Sequence, residues 1–305
     1  MFHNPSASSW SYTGPSPPPA VSAFHRTLPD YAVTPLTSLP SLAQEVGVSH
    51  VLLKDESSRL GLPAFKILGA SWAIHRALAQ RFSLSLTASL EELGVAAQKD
   101  GVKLVTCTEG NWGRAVARMA KYLGVEAVIF VPDFMDEATQ QKITGEGERT
   151  KVIVVDGDYD FSIAKAREEA DEGGMLVMDV SWDGYEDIPE WVVEGYSTML
   201  IEADKQLQDL SIRTVTHAIV SVGVGSWAQA VAMHYKARST PVTVVTVEPD
   251  TAASLKASLE TGKITPITTG HTIMNGMNCG TTSTTAWKIL EEGVDLSVTV
   301  SDIDL

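Results

Sequence analysis

The sequence predicts an α/β fold in which parallel strands are covered by helices. From about residue 48 onward, short runs rich in β-branched residues alternate with stretches of helical apolar pattern, which is typical of successive βαβ units. Of the 305 residues, 44% are apolar and 20% are charged, as in ordinary globular proteins. This length is enough for one large domain or for two smaller ones.

The predicted elements follow one another along the chain without an internal repeat. Strands are expected at 50–54, 103–108, 126–131, 151–155, 175–179, 217–222, 242–247 and 296–300. Helical patterns occupy 111–123, 189–209, 226–237 and 283–292. The first twenty residues are rich in Pro and Ser and are expected to lack regular structure. Because open parallel sheets bind ligands at the carboxyl ends of their strands, a site is expected in the loops that follow these strands.

Charge and cysteine content exclude several classes of function. With 23 Lys and Arg against 38 Asp and Glu, the net charge is −15, which argues against nucleic-acid and anionic-membrane partners. No apolar stretch is long enough to span a bilayer. Cys107 and Cys279 are too few for a disulfide framework or a structural zinc site, so no metal is expected. The N-terminus lacks the features of a signal peptide, and the expected location is the cytoplasm.

The loop 106–120, TCTEGNWGRAVARMA, joins a predicted strand to a predicted helix. Asn111, between Gly110 and Gly113, suits the N-cap because its side chain can accept a hydrogen bond from a free first-turn N–H. The remaining N–H groups and the helix dipole favour an anion such as a carboxylate. Glu109 beside such a site suits proton transfer or the binding of an ammonium group. An ordinary capped turn is the alternative for this stretch.

The loop 221–235, SVGVGSWAQAVAMHY, is Gly-rich and opens a helix, so its backbone can approach a phosphate closely. It also satisfies the dinucleotide pattern G-x-G-x-x-A, with Glu248 at the end of the next strand as a candidate ribose-binding acid. A Rossmann domain, however, would need more strands than the remaining sequence supplies. The phosphate cradle is therefore retained, and a nucleotide-binding protein is the weaker alternative.

Lys66 stands at the start of an apolar helical stretch, GLPAFKILGASWAIHRAL (61–78). A lone lysine in a helix is usually exposed to solvent. Together with an Asn loop and a Gly-rich phosphate loop, it instead suits a pyridoxal phosphate (PLP) enzyme, in which a lysine forms a Schiff base with the cofactor aldehyde. Asn111 would hydrogen-bond the ring hydroxyl, and the Gly-rich loop would hold the phosphate.

Several blocks of sequence point to one family when they are taken as a set. They are LKDESSRLGLPAFKILGASWA (53–73), TEGNWGRAVA (108–117), DVSWDGYEDIPEWVVEGYSTM (179–199), SVGVGSWAQAV (221–231) and TIMNGMNCGTTSTTAW (272–287). With these blocks in collinear order, the chain resembles the fold-type II PLP enzymes (the tryptophan synthase β-subunit superfamily), and within them the diaminopropionate ammonia-lyases. The resemblance implies two parallel-sheet domains with the cofactor in the cleft between them. We expect a large domain from 1–80 and 202–305, with a smaller domain, 81–201, inserted into it.

Matched position by position, the resemblance also implies roles for individual residues. Lys66 would carry the Schiff base and Asn111 would contact the phenolic oxygen of the cofactor. The phosphate would be held by Gly223, Val224, Gly225 and Ser226. The substrate would be bound by Thr108, Glu109, Gly110 and Asp179, and Glu109 and Asp179 would also take part in catalysis. Glu109 and Trp112 replace the Asp and His of the family pattern T-D-G-N-H-G.

The activity implied by the resemblance is α,β-elimination of ammonia from a small amino acid, most simply 2,3-diaminopropionate, to give pyruvate and ammonia. Lys66 would act as the base on one face of the substrate and Glu109 on the other, which would admit both enantiomers. A serine or threonine dehydratase is the first alternative. Members of the family are usually homodimers, and a homodimer is expected here.

The sequence ends at VTVSDIDL, directly after the last predicted strand, where members of the family continue. We therefore expect an exposed apolar patch around 286–300 and weakened retention of PLP. A catalytically impaired PLP-fold binding protein is the second alternative.

Overall fold

The computed structural model describes residues 1–108, 110–157, 159–240 and 242–304 of the chain, and its strands are arranged in three sheets. The strands are β1 Phe2–His3, β2 Leu36–Ser38, β3 Leu52–Lys54, β4 Lys103–Cys107, β5 Glu126–Pro132, β6 Thr150–Val155, β7 Met175–Leu176, β8 His217–Ser221, β9 Thr243–Pro249 and β10 Leu296–Val300. The α-helices are α1 Ala20–His25, α2 Pro40–Val46, α3 Lys66–Arg81, α4 Leu90–Lys99, α5 Asn111–Leu123, α6 Glu137–Thr144, α7 Tyr159–Asp171, α8 Asp187–Gly195, α9 Ser197–Asp209, α10 Ser226–Lys236, α11 Ser254–Thr261 and α12 Thr284–Gly293. Short 3₁₀ helices cover Pro5–Ser8 and Asn275–Met277.

Two four-stranded sheets carry the fold. One has the order β1-β10-β9-β8, with β8, β9 and β10 parallel, and the other has the order β6-β5-β4-β7, with all strands parallel. Strand β5 is buried from its second residue to its last, as expected for a strand covered on both faces. The predicted α/β class with two parallel sheets is confirmed.

Two predicted strands differ in the structure. The stretch predicted at 50–54 forms β3, which pairs antiparallel with β2 in a separate two-stranded sheet. The stretch predicted at 175–179 pairs only through the two residues of β7. Val177 still donates its N–H to the carbonyl oxygen of Val105 at 2.8 Å, and beyond it the chain leaves the sheet and leads to Asp179 in the cavity described below. A periodic apolar pattern identifies a buried extended segment but does not identify its partner.

The N-terminal residues are more regular than predicted. β1 pairs antiparallel with β10, the 3₁₀ helix follows it, and α1 begins at Ala20. The ammonium of Lys236, with a side chain only 2% exposed, donates to the carbonyl oxygen of Ala7 at 2.8 Å and to Asp295 at 2.7 Å. The expectation of a segment without regular structure holds for residues 9–19, which contain no helix or strand, but not for β1 and the 3₁₀ helix, where contacts to distant elements order the chain.

The helical stretch predicted at 189–209 is two helices, α8 and α9, which meet at Tyr196. Helix α8 approaches α3 very closely. A Cβ atom on Gly195 would lie 2.4 Å from the carbonyl oxygen of Leu68, and one on Gly69 would lie 2.7 Å from the ring of Tyr196. Only glycine at 69 and 195 permits this approach, which fixes the Tyr196 ring against α3.

The exposed apolar patch expected around 286–300 is not formed, and that expectation was wrong. Ala286, Leu290 and Val294 are fully buried, and none of the large apolar residues in this stretch is exposed. Helix α12 packs on α10 and on the N-terminal 3₁₀ helix, while β1 covers the edge of β10.

Helix α3 connects the two halves of the fold, since it contacts both α5 and α8. The proposed domain boundaries at 80/81 and 201/202 remain a prediction, in which each domain would contain one of the four-stranded sheets. Among the described residues, none of the helices has the length and apolarity needed to cross a bilayer.

Candidate active site

Lys66 is the first residue of α3, and its side chain points toward the segment that follows β7. Its Nζ donates to Oδ2 of Asp179 at 2.8 Å and lies 5.9 Å from the centre of the Trp112 ring. The Lys66 side chain is 24% exposed and that of Asp179 is 4% exposed. Lys66 is therefore not an ordinary surface lysine, because its ammonium is held by a nearly buried carboxylate.

The loop before Lys66 is anchored by a buried guanidinium. The Arg59 side chain is fully buried and donates to Glu56 and Glu202, each at 2.7 Å, and to the hydroxyl of Thr34 at 2.8 Å. A buried charge of this kind is tolerated only when it is paired and fully hydrogen-bonded. Glu56 and Arg59 of the sequence DESSR therefore fix the chain shortly before α3.

A cavity of about 420 Å³ brings most of the predicted site residues together. It is lined by Ala64, Phe65, Lys66, Asn111, Asp179, Tyr196, Ser221, Gly223, Val224, Gly225, Ser226, Trp227, Ala228, Ile273, Met274, Asn275, Gly276 and Met277. Sequence reasoning did not assign the stretch 273–277 to the site, although it lies within a quoted block. This stretch leaves little room at Gly223, where a Cβ atom would lie 3.0 Å from the carbonyl oxygen of Gly276.

The Gly-rich loop 223–226 leads into the N-terminus of α10. Gly225 has φ +100°, which strains any residue with a side chain, and a Cβ atom there would lie 3.1 Å from Ala286. Among the described residues, the backbone N–H groups of 223–226 donate to no backbone carbonyl. N–H groups without a carbonyl partner at the start of an 11-residue helix form a site for an anion such as a phosphate.

Helix α5 begins differently from the prediction. The N-cap is Gly110 and not Asn111, and the hydroxyl of Thr108 accepts the N–H groups of Gly110 at 2.9 Å and Gly113 at 3.0 Å. Because Thr108 satisfies this turn, the amide of Asn111 is left to line the cavity. Thr108 and Gly110 themselves are not among the lining residues. Glu109 lies outside the described residues.

Trp112, which replaces the His of the family pattern, is a buried bridge. Its indole Nε1–H donates to Oγ1 of Thr106 and to the carbonyl oxygen of Val177, both at 3.0 Å. It therefore joins β4 to the segment that carries Asp179, and its ring also faces Lys66. Sequence reasoning recorded the replacement but found no role for it.

The Asp179 segment is held on its other side by hydroxyl groups. Ser181 Oγ lies 2.6 Å from Ser283 Oγ and accepts the N–H of Thr285 at 2.8 Å. The N–H of Ser283 in turn donates to the carbonyl oxygen of Val224 at 2.8 Å. One short stretch before and within the first turn of α12 thus contacts both the Asp179 segment and the Gly-rich loop.

Glu248, the candidate ribose-binding acid of the dinucleotide alternative, does not face a ligand site. Its carboxylate is fully buried and accepts the N–H groups of Leu255 and Lys256, both at 2.8 Å, at the start of α11. Burial raises the pKa of this carboxyl to about 7, although the two N–H donors oppose the rise. Glu248 is a helix-capping residue, which removes the main support for a nucleotide-binding protein.

Comparison with known families gives one match that spans most of the chain. A model of the family described as pyridoxal-phosphate dependent enzyme matches residues 27–305. The diaminopropionate ammonia-lyase of Salmonella typhimurium is 35% identical over 292 residues, which cover 92% of this chain and 72% of that protein.

Two solved structures with closely similar folds belong to the diaminopropionate ammonia-lyase of Escherichia coli. The complex with D-serine aligns with a TM-score of 0.85 at 31% identity, and the complex with an aminoacrylate-PLP azomethine reaction intermediate aligns with a TM-score of 0.82 at 29% identity. Each alignment covers 99% of this chain and 74% of the solved chain.

Proposed function

Because the chain belongs to the family of pyridoxal-phosphate-dependent enzymes, we propose that it is an ammonia-lyase acting on 2,3-diaminopropionate. The overall reaction consumes one water and yields one pyruvate and two ammonia. The observation that carries the proposal is the cavity itself, in which the amine of Lys66, the carboxylate of Asp179 and the Gly-rich loop face one another. These are the groups that such a cofactor and a diamine substrate would require.

The residues present fit PLP by their chemistry. Lys66 supplies an amine for the aldehyde, the N–H groups of 223–226, which have no backbone carbonyl partner, suit the phosphate, and the Asn111 amide can hydrogen-bond the ring hydroxyl. When bound, PLP supplies an electron sink for negative charge that develops at the substrate Cα.

The Lys66–Asp179 pair has two uses in this proposal. Lys66 is placed to take the proton from Cα, and the Asp179 carboxylate, 2.8 Å from its Nζ, is placed to accept a hydrogen bond from the ammonium that results. Among the described residues that line the cavity, Asp179 is the one carboxylate. It can therefore also bind the second ammonium of a diamine, which serine and threonine lack.

Glu109 is proposed as the acid–base group on the opposite face, since it occupies the position of the family's Asp. Glu109→Gln should lower kcat/KM for one enantiomer of the substrate by about 10²–10⁴ and the other far less. Equal losses for the two enantiomers would indicate instead that Glu109 binds the second ammonium.

The substrate is tested by assays with PLP added and D- and L-2,3-diaminopropionate, serine and threonine supplied in turn. Oxo-acid formation is coupled to lactate dehydrogenase and ammonia is measured separately. We expect the highest kcat/KM with diaminopropionate and two ammonia per pyruvate. A higher kcat/KM with serine or threonine, with one ammonia per oxo acid, would favour the dehydratase alternative. PLP binding without turnover of any of the four would favour a binding protein.

A homodimer in the cytoplasm is proposed as the working form. It is supported by the family resemblance for the assembly, and by the acidic composition and sparse cysteines for the location. Sedimentation of the purified protein tests the dimer.

A further inference from the structure

Tyr196 is a buried titratable residue for which the proposed chemistry has no use. Its side chain has no solvent exposure, and its hydroxyl oxygen makes no hydrogen bond to any described residue. It nevertheless lines the cavity that holds Lys66 and the Gly-rich loop. A buried, unpaired hydroxyl costs free energy of folding, so this group is expected to have a partner in the working protein.

The Tyr196 ring cannot easily turn away from the cavity. Phe65 and Trp227 contact it edge-on, with ring centres 5.2 Å and 5.8 Å away, and Gly69 admits it against the backbone of α3. All three aromatic rings line the cavity next to the start of α10. Their packing holds the Tyr196 ring in place before a ligand binds.

The charges around Tyr196 indicate what its partner is. Burial first, and then the charge of Asp179, raise the pKa of Tyr196 well above its ordinary value; the Ser226 side chain lies near enough to oppose the rise, although its geometry does not make a hydrogen bond with the Tyr196 hydroxyl. The hydroxyl therefore stays protonated and acts as a donor. Asp179 accepts from Lys66 through Oδ2, and neither of its carboxylate oxygens makes a hydrogen bond with the Tyr196 hydroxyl. The acceptor that then suits this corner of the cavity is the anion expected at the N–H groups of 223–226.

We propose that the hydroxyl of Tyr196 donates a hydrogen bond to the phosphate group of PLP and is a side-chain member of the phosphate site. This inference rests on the proposed placement of PLP in the cavity. It gives Tyr196, the tyrosine of the second GY pair in the block 179–199, a direct part in cofactor binding.

The test compares PLP with pyridoxal, which lacks the phosphate, in the wild type and in Tyr196→Phe. Dissociation constants are measured by absorbance and fluorescence titration, and thermal unfolding of the cofactor-free proteins is recorded beside them. Tyr235→Phe is the matched control, since Tyr235 is a buried tyrosine on α10 that does not line the cavity.

We expect Tyr196→Phe to weaken PLP binding by about tenfold or more, as for the loss of a hydrogen bond to a charged group, and to leave pyridoxal binding unchanged. The unfolding temperature without cofactor should not fall, because the variant removes an unpaired buried hydroxyl. Tyr235→Phe should change neither dissociation constant.

Unchanged PLP affinity in Tyr196→Phe, or equal weakening of PLP and pyridoxal, would overturn the inference and leave the proposed function standing. A wild-type protein that bound neither compound would overturn both.

Discussion

The Nζ of Lys66 and Oδ2 of Asp179 are 2.8 Å apart and join the first residue of α3 to a segment 113 residues further along the chain. The contact joins the start of α3 to the segment that follows β7, and both residues line the same cavity. It keeps the lysine amine within the cavity and places a carboxylate where a diamine substrate would need one.

Asp179→Asn should lower kcat/KM for 2,3-diaminopropionate by about 10²-fold or more, because truncating one partner of a buried charge pair leaves the other uncompensated. The loss for serine should be smaller, since serine has no second ammonium. Steady-state assays with both substrates measure the difference. Asp100→Asn, which breaks the exposed Arg81–Asp100 pair, is the control and should have little effect on either substrate. Equal losses for the two substrates would contradict a role in diamine recognition.

Lys66→Ala should abolish the visible absorbance of lysine-linked PLP after dialysis, with the far-ultraviolet circular dichroism unchanged. The amine is required for the covalent link, whereas a partly exposed ammonium contributes little apolar packing. Lys151→Ala, at an exposed ion pair, should keep the absorbance. Retention of the same absorbance by Lys66→Ala would show that another lysine holds the cofactor.

Trp112→Phe should lower the free energy of unfolding by about 1–3 kcal/mol, because Thr106 and Val177 lose a shared buried donor while most of the ring volume is kept. Urea denaturation measures the change. The same variant should lower kcat, since Val177 is two residues from Asp179 and its carbonyl would no longer be held. A stable variant with unchanged kcat would show that the other contacts of the segment, those of Ser181 and of Tyr185 with Met178, are enough to position it.

Glu248→Gln should remove a pH dependence of stability. The pKa of Glu248 in the folded protein, about 7, lies above its ordinary value of 4.5, so the folded state binds more protons between these values. Its stabilising contribution is therefore complete below pH 4.5 and falls as the pH rises toward 7, by up to roughly 3 kcal/mol in total. Urea denaturation at pH 5 and pH 8 should show a smaller difference in Glu248→Gln than in the wild type, and an unchanged difference would refute the assignment.

Sequence patterns predicted the regular parts of this fold well because those parts depend on local periodicity. Helix α5 has the predicted bounds, and β5 and β10 lie where β-branched runs were found. The same patterns placed Lys66, Asn111 and the Gly-rich loop after strands or at helix starts, and the structure brings them to one cavity.

The features that were missed depend on contacts between distant residues. The N-terminal segment is ordered by Lys236, more than two hundred residues away, and the break at Tyr196 follows from the close approach of Gly69. The N-cap of α5 is Gly110, and the Thr108 hydroxyl, not the Asn111 amide, accepts the N–H groups of this turn; composition cannot decide between two good hydrogen-bonding side chains. The role of Trp112 required the position of Val177 in space.

The contacts made by residues 283–285 should limit which substitutions this short stretch can accept. Ser283 holds Val224 through its N–H, while Ser283 and Thr285 hold Ser181 through hydroxyl and N–H contacts. The stretch 283–285 thus sets the distance between the Gly-rich loop and the segment that carries Asp179. A substitution there would displace both ends at once, so compensating changes would have to arise together, and drift in this stretch should be slow.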